Sequence, residues 1–352
     1  MDQLVVGPAS TMELSRGYQV LAAARARTDP ALRSAIGRLP RPMIDIASYH
    51  FGWSTTDGMA LPDQDGSWGK GIRPALALVC AEAVGADPGQ AVPAAVAVEL
   101  IHNASLIHDD IIDNDPARRH RPSVWRAYDR ATAILAGNSL FFLAVTQLAT
   151  TGPRPGGEGV TRLADTIQQL IQGQQTDHLL EQRDHVSLDE ALAVATAKTA
   201  ALLRCACELG AYYGRGTPAQ IRRLGMIGES LGTAFQLTDD LLGIWGSQAQ
   251  TGKPERSDLI TRKKTVPVIT ALASDTPAGR ELTRLYRQPV WDQATTDTAA
   301  ALIEDAGGRQ ATQDLAGRYL RCAHDHLRAA RLPPKAHDDL DHVLQLLTDR
   351  SH

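Results

Sequence analysis

Apolar residues recur at helical spacing along most of this 352-residue chain, and strand-like alternation rich in Val, Ile and Thr is hard to find. Breaks between the periodic segments fall at clusters of Gly, Pro and Asp, such as residues 151–157. Several long helices joined by short connections favour one large all-α helical bundle around a central cavity over two domains. The pattern predicts helices over about 71–86, 90–113, 126–150, 158–184, 187–213, 217–245, 263–273, 278–287, 293–306, 308–330 and 335–349.

Composition and charge narrow the class of protein. With 43% hydrophobic and 22% charged residues, the chain has the composition of a globular protein with a large core. Glu99 and His102 interrupt the most apolar stretch before it reaches the roughly 18 apolar residues that a bilayer crossing needs. The N-terminus lacks the pattern of a secretory signal, so we expect a cytoplasmic protein without a transmembrane segment. A net charge of −4 without a long basic block gives no indication of a nucleic-acid partner.

The chain is expected to form one domain that follows a flexible start. We assign residues 1–25 to a flexible N-terminal segment, residues 26–352 to the helical domain and residues 54–70 to a loop or lid. The four cysteines include no C-x-x-C pair that could bind zinc. We therefore expect reduced, buried thiols, as in a cytoplasm.

Two clusters of aspartates stand inside apolar helical segments. Asp109, Asp110 and Asp113 form the first cluster, and Asp239 and Asp240 form the second. On a helix Asp109 and Asp113 lie one turn apart on the same face, where their oxygens can share a cation. Carboxylates among Ile and Leu are costly to desolvate unless a divalent metal and a polyphosphate neutralise them. A solvated helix face or an N-cap explains the second pair taken alone, but the two clusters together favour a metal site.

A metal site that binds diphosphates needs cationic side chains for the remaining phosphate oxygens. Arginine matches these oxygens with its planar fork, and lysine supplies a compact charge. Lys198 could instead be a snorkelling lysine, and His102 could be a hydrogen-bonded core histidine. The candidate cations are Lys70, Arg73, Arg118, Arg119, Lys198, Lys253 and Lys263.

The order of these motifs, over about residues 66–275, resembles the trans-isoprenyl diphosphate synthases, and among them the geranylgeranyl diphosphate synthases of actinobacterial type. The matching motifs are Gly69-Lys70 with Arg73-Pro74, Asp109-Asp110 with Asp113, Arg118-Arg119, Gly173-Gln174 with Asp177, Lys198-Thr199, Phe235-Gln236 with Asp239-Asp240, Gly252-Lys253-Pro254, Ser257-Asp258-Leu259, and Lys263 with Thr265 and Pro267.

The resemblance implies an isoprenoid synthase fold and a homodimer. It also implies a magnesium-dependent, head-to-tail trans condensation of isopentenyl diphosphate with an allylic diphosphate. Asp109, Asp113 and Asp239 would hold about three Mg²⁺ ions, and Asp110, Asp240 and Lys198 would complete the catalytic set. The residues implied for the allylic diphosphate are Arg118, Gln174, Asp177, Lys198, Thr199, Gln236, Lys253 and Lys263. Those implied for isopentenyl diphosphate are Lys70, Arg73, His102 and Arg119.

Product length in this family depends on how far the growing tail extends before it meets a bulky side chain. The tunnel-lining residues four and five positions before the first aspartate are Ser105 and Ala104 here, and both are small. Phe141 or Phe142 on the next helix could close the pocket. We expect geranylgeranyl diphosphate, a C20 product, with C25 or longer products left open.

One departure from the family pattern keeps other functions open. Gly243 occupies the fifth position of the second motif, where the family commonly has Asp, which implies weaker metal binding rather than lost catalysis. A class I terpene cyclase would leave Lys70, Arg73 and Arg119 unexplained. A di-iron carboxylate bundle needs two Glu-x-x-His pairs, and only one, at Glu99, is found. A non-catalytic subunit or cargo protein would be expected to lose the first acidic motif, which is intact.

Overall fold

The computed structural model describes residues 11–62, 69, 71–154, 157–183, 185–248 and 254–348. This part of the chain is almost entirely helical, so the all-α prediction is confirmed. The helices are α1 Thr11–Ile36, α2 Met43–His50, α3 Ile72–Ala83, α4 Val92–Ile112, α5 Val124–Ala127, α6 Arg130–Thr150, α7 Gly157–Glu181, α8 Leu188–Ala195, α9 Ala201–Tyr213, α10 Pro218–Trp245, α11 Ser257–Ile260, α12 Val266–Leu272, α13 Pro277–Tyr286, α14 Gln293–Asp305, α15 Gly308–Ala330 and α16 Pro334–Thr348.

Three short elements interrupt this series. A 3₁₀ turn over Pro88–Ala91 leads into α4, and a π-helical turn over Thr196–Ala200 separates α8 from α9. A two-stranded antiparallel hairpin, β1 Ala117–Arg118 and β2 Arg121–Pro122, follows α4. The sequence pattern predicted one continuous helix over 187–213, because a π turn inserts one residue into a helix without changing its apolar appearance.

The helical domain begins earlier in the chain than predicted, at helix α1. The segment 1–25 was expected to be flexible, but α1 begins at Thr11, and its Leu21 and Ala24 are buried. Pro30 inside the helix and a polar composition hid this element from the periodicity analysis. Helix α1 packs on the last helix, α16, so the first and last helices join the same core. Residues 1–10 lie outside the described residues.

The core forms around α4, α9 and α10. Helix α4 packs against α6 and α3, and α10 packs against α9 and α15. Each of the four residues from Ala94 to Ala97 on α4 is fully buried. A second apolar cluster joins the end of α10, through Ile244, to Leu259 of α11 and to α12, α13 and α14. The two aspartate clusters therefore belong to the two most central helices.

Two helices in the described chain, Pro88–Ile112 and Arg130–Thr150, are long and apolar enough to cross a membrane by length and composition. Core helices of globular folds pass the same test. We interpret both as bundle helices, because α4 and α6 pack on each other and α4 carries the first acidic cluster. Part of the predicted loop or lid, residues 63–68 and Lys70, lies outside the described residues.

Candidate active site

The first acidic cluster lies at the C-terminal end of α4, and its members face different neighbours. Asp110 is 1% exposed, and its Oδ1 accepts from Nε and Nη2 of Arg118 over 2.8 and 2.5 Å. Burial raises the pKa of Asp110 to about 6 despite this ion pair. Asp110 therefore ties α4 to the hairpin, whereas Asp109 and Asp113 lie elsewhere on the helix surface.

Asp109 and Asp113 face a group of lysines. Oδ2 of Asp113 accepts from Nζ of Lys263 over 2.9 Å. Burial raises the pKa of Asp109, opposed by the nearby charge of Lys198. Lys263 also interacts electrostatically with Asp258 of α11 and with Asp177 of α7. Together with Asp113 at the end of α4, these acids come from three separate elements. The contacts show that α4, α7 and the segment after α10 converge on one charged site.

The paired arginines occupy a turn that directs them apart. In the hairpin the strands pair Ala117 with Pro122 and Arg118 with Arg121, which leaves Arg119 and His120 as a two-residue loop. Both loop residues have positive φ, 51° and 61°, as a hairpin turn of this length requires. Arg118 then reaches Asp110, while Nη2 of Arg119 lies 3.4 Å from Oδ1 of Asn103.

The π-helical turn presents Lys198 and Thr199 to the site. Nζ of Lys198 donates to Oδ2 of Asp177 on α7 over 2.8 Å. The turn passes so close to α7 that a β-carbon on Gly173 would lie 2.9 Å from the backbone nitrogen of Lys198. Only glycine leaves room for this approach. The Gly173 and Lys198 motifs, separate in sequence, are thus one packing unit.

A hydrogen-bonded chain supports the second acidic cluster. Oγ1 of Thr199 donates to Oε1 of Gln236, whose Nε2 donates to Oδ1 of Asp240 over 2.8 Å. The backbone nitrogen of Val266 donates to the other oxygen of Asp240 over 3.2 Å. Burial raises the pKa of Asp240 to about 7. Asp240 is held inside the fold, and the partly exposed Asp239 borders the site.

A partly buried cationic pocket, formed by Arg73, His102 and Arg119, adjoins this acidic region. Arg73, at the start of α3, interacts electrostatically with Glu99 of α4 and with Asp239 of α10. Burial lowers the pKa of His102 well below its usual value, and the neighbouring charges of Arg73 and Arg119 lower it further. Among the described residues, Glu99 is the one acid that interacts electrostatically with both Arg73 and Arg119. The pocket carries excess positive charge and suits an anion.

Asn103, Glu99 and His50 support this pocket, and their role was not predicted from the sequence. Nδ2 of Asn103 donates to the Glu99 side chain and backbone, each over 2.8 Å. A ring nitrogen of His50, from α2, lies 3.1 Å from Oδ1 of Asn103. Glu99 is 2% exposed. A charged residue within an otherwise apolar helical segment was the only indication in the sequence that Glu99 has a buried partner. His50 carried no signal, because α2 itself was not predicted.

The residues expected to control product length lie on α4 and α6. Ala104 is fully buried, and Ser105 is partly buried with its hydroxyl donating to the backbone oxygen of His102. Phe141 packs against the core beside His108, with ring centroids 5.7 Å apart. Phe142 is 74% exposed on the outer side of α6. This corrects the expectation that Phe142 could close the pocket inside the chain, because adjacent helical residues point about 100° apart.

The donor set fits a hard divalent cation. Oδ2 of Asp110 and Oε1 of Gln174 are buried without a hydrogen-bond partner within the described part of the chain. The described residues contain no group of three ligands close enough to hold a metal unaided. The carboxylates instead lie on facing elements and interact with lysines, an arrangement suited to metal that arrives with a diphosphate. Lys70 and Lys253 lie outside the described residues.

Comparison with known proteins assigns this arrangement to a family. The polyprenyl synthetase family model matches residues 65–303. The chain belongs to this family. The Mycobacterium tuberculosis (2E,6E)-farnesyl diphosphate synthase is 40% identical over 348 residues, which cover 97% of this chain and 96% of that protein. The geranylgeranyl diphosphate synthase of the same organism is 41% identical over 316 residues, which cover 89% and 87% of the two chains.

A solved structure agrees with the family assignment. The polyprenyl synthetase from Streptomyces coelicolor A3(2) superposes with a TM-score of 0.88 at 42% identity, covering 94% of this chain and 98% of that one. As a member of the family, the chain is a prenyltransferase that makes polyprenyl diphosphates, and the family uses divalent metal. The two mycobacterial relatives differ in product, so membership leaves product length open.

Proposed function

We propose that this prenyltransferase condenses isopentenyl diphosphate head-to-tail with an allylic diphosphate to give geranylgeranyl diphosphate, a trans C20 product. One observation carries the proposal: the partly buried cationic pocket of Arg73, His102 and Arg119 lies beside the acidic site, and Arg73 interacts with Asp239. A class I terpene cyclase binds one diphosphate and has no use for this second pocket. Two adjacent anion sites suit two diphosphate substrates.

The acidic site would receive the allylic diphosphate. Asp109 and Asp113 on α4 and Asp239 on α10 would hold about three Mg²⁺ ions, since hard cations prefer carboxylate and phosphate oxygens. When bound, the metal neutralises the diphosphate and favours its departure as a leaving group. Asp110 holds α4 to the hairpin through Arg118, and Asp240 holds α10 to α12 through the backbone nitrogen of Val266.

Further side chains would bind the same diphosphate around the metal. Lys198 and Lys263 already lie among the site carboxylates and would turn their charges to phosphate oxygens. The remaining members of this proposed set are Arg118, Gln174, Asp177, Thr199, Gln236 and Lys253. Departure of the diphosphate breaks the allylic carbon–oxygen bond and leaves an allylic cation.

The cationic pocket would hold isopentenyl diphosphate so that its alkene faces that cation. Arg73 and Arg119 supply charge, and Lys70 from the preceding segment would add a third cation. Burial and the charges of Arg73 and Arg119 lower the pKa of His102, and a ring nitrogen of His102 would donate a hydrogen bond to the diphosphate. The alkene forms the new carbon–carbon bond, and the proton lost afterwards goes to the released diphosphate.

The C20 length is argued from the small residues on α4. Ser105 lies one turn before Asp109 on the same face and adds little volume there. A tail that starts at the acidic site meets no aromatic side chain at this position. Phe141, which packs from α6 against the core beside His108, is the candidate for the end of the pocket.

We also propose a homodimer that covers the outer face of α6, in a cytoplasmic enzyme. Ile134, Leu135 and Phe142 are each between 46% and 74% exposed on this helix. Leu135 and Phe142 lie two turns apart on one face, with Ile134 next to Leu135, and they form an exposed apolar stripe that Asn138 and Ser139 interrupt. A second copy of the chain would remove this stripe from water.

Product analysis tests the proposal. Purified protein is incubated with Mg²⁺, labelled isopentenyl diphosphate and each of dimethylallyl, geranyl, farnesyl and geranylgeranyl diphosphate, and product length is measured by mass spectrometry. We expect C20 diphosphate from the shorter primers. Hydrocarbons formed without isopentenyl incorporation would identify a cyclase, and absence of turnover would favour a non-catalytic subunit or cargo protein.

A further inference from the structure

The amide of Asn103 joins three elements behind the cationic pocket. Asn103 is on α4 and is fully buried. Its Nδ2 donates to the backbone oxygen and to Oε1 of Glu99, each over 2.8 Å. Its Oδ1 lies 3.1 Å from Nε2 of His50, at the end of α2, and 3.4 Å from Nη2 of Arg119 in the hairpin loop. The side chain thus makes all four hydrogen bonds that an amide group can form.

These partners determine which nitrogen of His50 carries the proton. Both Glu99 oxygens beside Asn103 are acceptors, so the amide nitrogen must face them and the amide oxygen must face the other way. Arg119 can only donate to that oxygen. His50 must donate to it as well, since the oxygen has no hydrogen of its own. The proton at this contact is therefore on Nε2 of His50.

The residue before His50 fixes α2 to the hairpin. The hydroxyl of Tyr49 donates to the backbone oxygen of Pro122 over 2.8 Å, and Nη1 of Arg121 donates to the backbone oxygen of Tyr49 over 3.1 Å. Nη2 of Arg121 also donates to the backbone oxygen of Ser54 over 2.8 Å. Helix α2 is thus held on strand β2, and His50 extends this link to α4 from a buried position.

Asn103 and its partners position both arginines of the cationic pocket. Glu99, which Asn103 holds, interacts electrostatically with Arg73 and with Arg119. A β-carbon on Gly69 would lie 3.4 Å from Nη2 of Arg119, so this guanidinium lies between Asn103 and the Gly69 motif. Nε of Arg73 is buried without a hydrogen-bond partner in the described part of the chain. The arginines are held from the protein side, and Nε of Arg73 suits an anionic oxygen.

We propose that His50 is a positioning residue for isopentenyl diphosphate: its Nε2–H bond to Asn103 fixes the amide that holds Arg119 and Glu99 in the cationic pocket. This inference rests on the proposed function. Without a donor at position 50, Oδ1 of Asn103 loses a partner inside the fold, and the amide can rotate away from Arg119. The lysines of the acidic site bind other carboxylates, so the allylic diphosphate keeps its contacts.

Steady-state kinetics with Mg²⁺ separate the two substrates. Isopentenyl diphosphate is varied at saturating geranyl diphosphate, and then the reverse. We expect His50→Leu, which removes the donor, to raise KM for isopentenyl diphosphate about 10-fold, with kcat and KM for geranyl diphosphate within about 2-fold of native. His50→Gln keeps an N–H donor at similar reach, and its KM for isopentenyl diphosphate is expected to stay within about 3-fold of native.

A double-mutant cycle tests whether His50 acts through the amide. Asn103→Ala removes the group that His50 holds, so adding His50→Leu should change KM for isopentenyl diphosphate by less than about 2-fold. If the two substitutions instead multiplied each other's effect, His50 would act by packing alone, and the inference would be overturned.

A matched control loosens the same helix without removing a hydrogen bond. Ile46 lies one turn before His50 on α2 and is 3% exposed. Ile46→Val is expected to lower the melting temperature, measured by circular dichroism, and to leave both Michaelis constants unchanged. A rise in KM for isopentenyl diphosphate equal to that of His50→Leu would show a general effect of α2 packing and contradict the inference.

Two further outcomes have distinct meanings. Native-like KM for isopentenyl diphosphate in folded His50→Leu, or a 10-fold rise in His50→Gln, would overturn the role of His50 alone. The His50→Gln result decides the matter if circular dichroism shows that His50→Leu has lost the fold. A native protein that incorporates no isopentenyl diphosphate would overturn the proposed function, and with it this inference.

Discussion

Nζ of Lys263 donates to Oδ2 of Asp113 over 2.9 Å, across 150 positions of the sequence. The contact links the end of α4 to the segment that follows α11. The lysine charge neutralises a carboxylate that is proposed to bind metal. The lysine and a metal ion therefore compete for Asp113, whereas the lysine and a diphosphate attract each other.

Replacing this lysine is expected to change two affinities in opposite directions. Lys263→Met removes the competitor of Asp113, so Mg²⁺ alone should bind about 5-fold more tightly, which corresponds to about 1 kcal/mol. The Michaelis constant for the allylic diphosphate should rise, because a phosphate-binding charge is lost. Calorimetry and steady-state kinetics measure the two quantities, and weaker binding of Mg²⁺ alone would contradict the competition.

The close approach of α7 and the π-helical turn predicts a sensitive glycine. Gly173→Ala pushes against the backbone of Lys198, so we expect kcat/KM to fall on the order of 10-fold as that lysine moves. Gly317→Ala, in α15, is the control, because its nearest neighbour is the flexible end of Arg321 at 3.4 Å. This control should keep full activity. Equal activity of the two variants would show that the turn can shift without effect.

Product length is expected to respond to the volume at position 105. Ser105→Phe places a large ring one turn before Asp109 and should shorten the main product from C20 to C15, since the tail meets it earlier. Ser105→Ala keeps the pocket open and should leave the length unchanged. Mass spectrometry of the diphosphates measures both, and an unchanged C20 product in Ser105→Phe would place the tail elsewhere.

The buried carboxyl of Asp240 predicts how stability depends on pH without metal. Its pKa is raised to about 7 in the folded chain, against roughly 3.9 for an aspartate in an unfolded chain. The folded state therefore binds more protons between these values, and the free energy of unfolding falls as pH rises through 7. We expect a loss of about 2 kcal/mol from this group between pH 5 and 8.

Urea unfolding at several pH values, with a chelator present, measures this contribution to the free energy of unfolding. Asp240→Asn cannot titrate, so its stability should fall less steeply over the same range. Asp110, whose pKa is raised to about 6, contributes in the same direction in both proteins and does not affect the comparison. If the free energy of unfolding fell equally with pH in the native protein and the variant, titration of Asp240 would not be its cause.

The outer face of α6 predicts the oligomeric state. Phe142→Glu places a charge within the exposed apolar stripe and should raise the dimer dissociation constant more than about 10-fold. Met226→Glu, at an exposed apolar position of α10, is the control and should remain dimeric. Light scattering after size-exclusion chromatography measures the mass of each. A dimeric Phe142→Glu variant would move the interface to another face.

Properties that depend on neighbours in the chain could be read directly from the residues. Helical spacing of apolar residues predicts a helical bundle, because a helix repeats its apolar face every three to four residues whatever it packs against. Asp109 and Asp113 share a face for the same reason, and the order of motifs indicated the family. Helix α1, which was not predicted, lacks this local signal because it is polar and contains Pro30.

Relationships between distant residues required the packed chain. The position of Asp258 over Gly243 depends on how Leu259 packs beside Ile244, and Glu99 meets two arginines because α3, α4 and the hairpin converge. The sequence offered Phe141 and Phe142 as equivalent, and the direction in which α6 faces its neighbours separated them. Local periodicity identifies candidate site residues. Contacts between residues that lie tens of positions apart arise from the burial of whole helix faces, which cannot be predicted from local spacing.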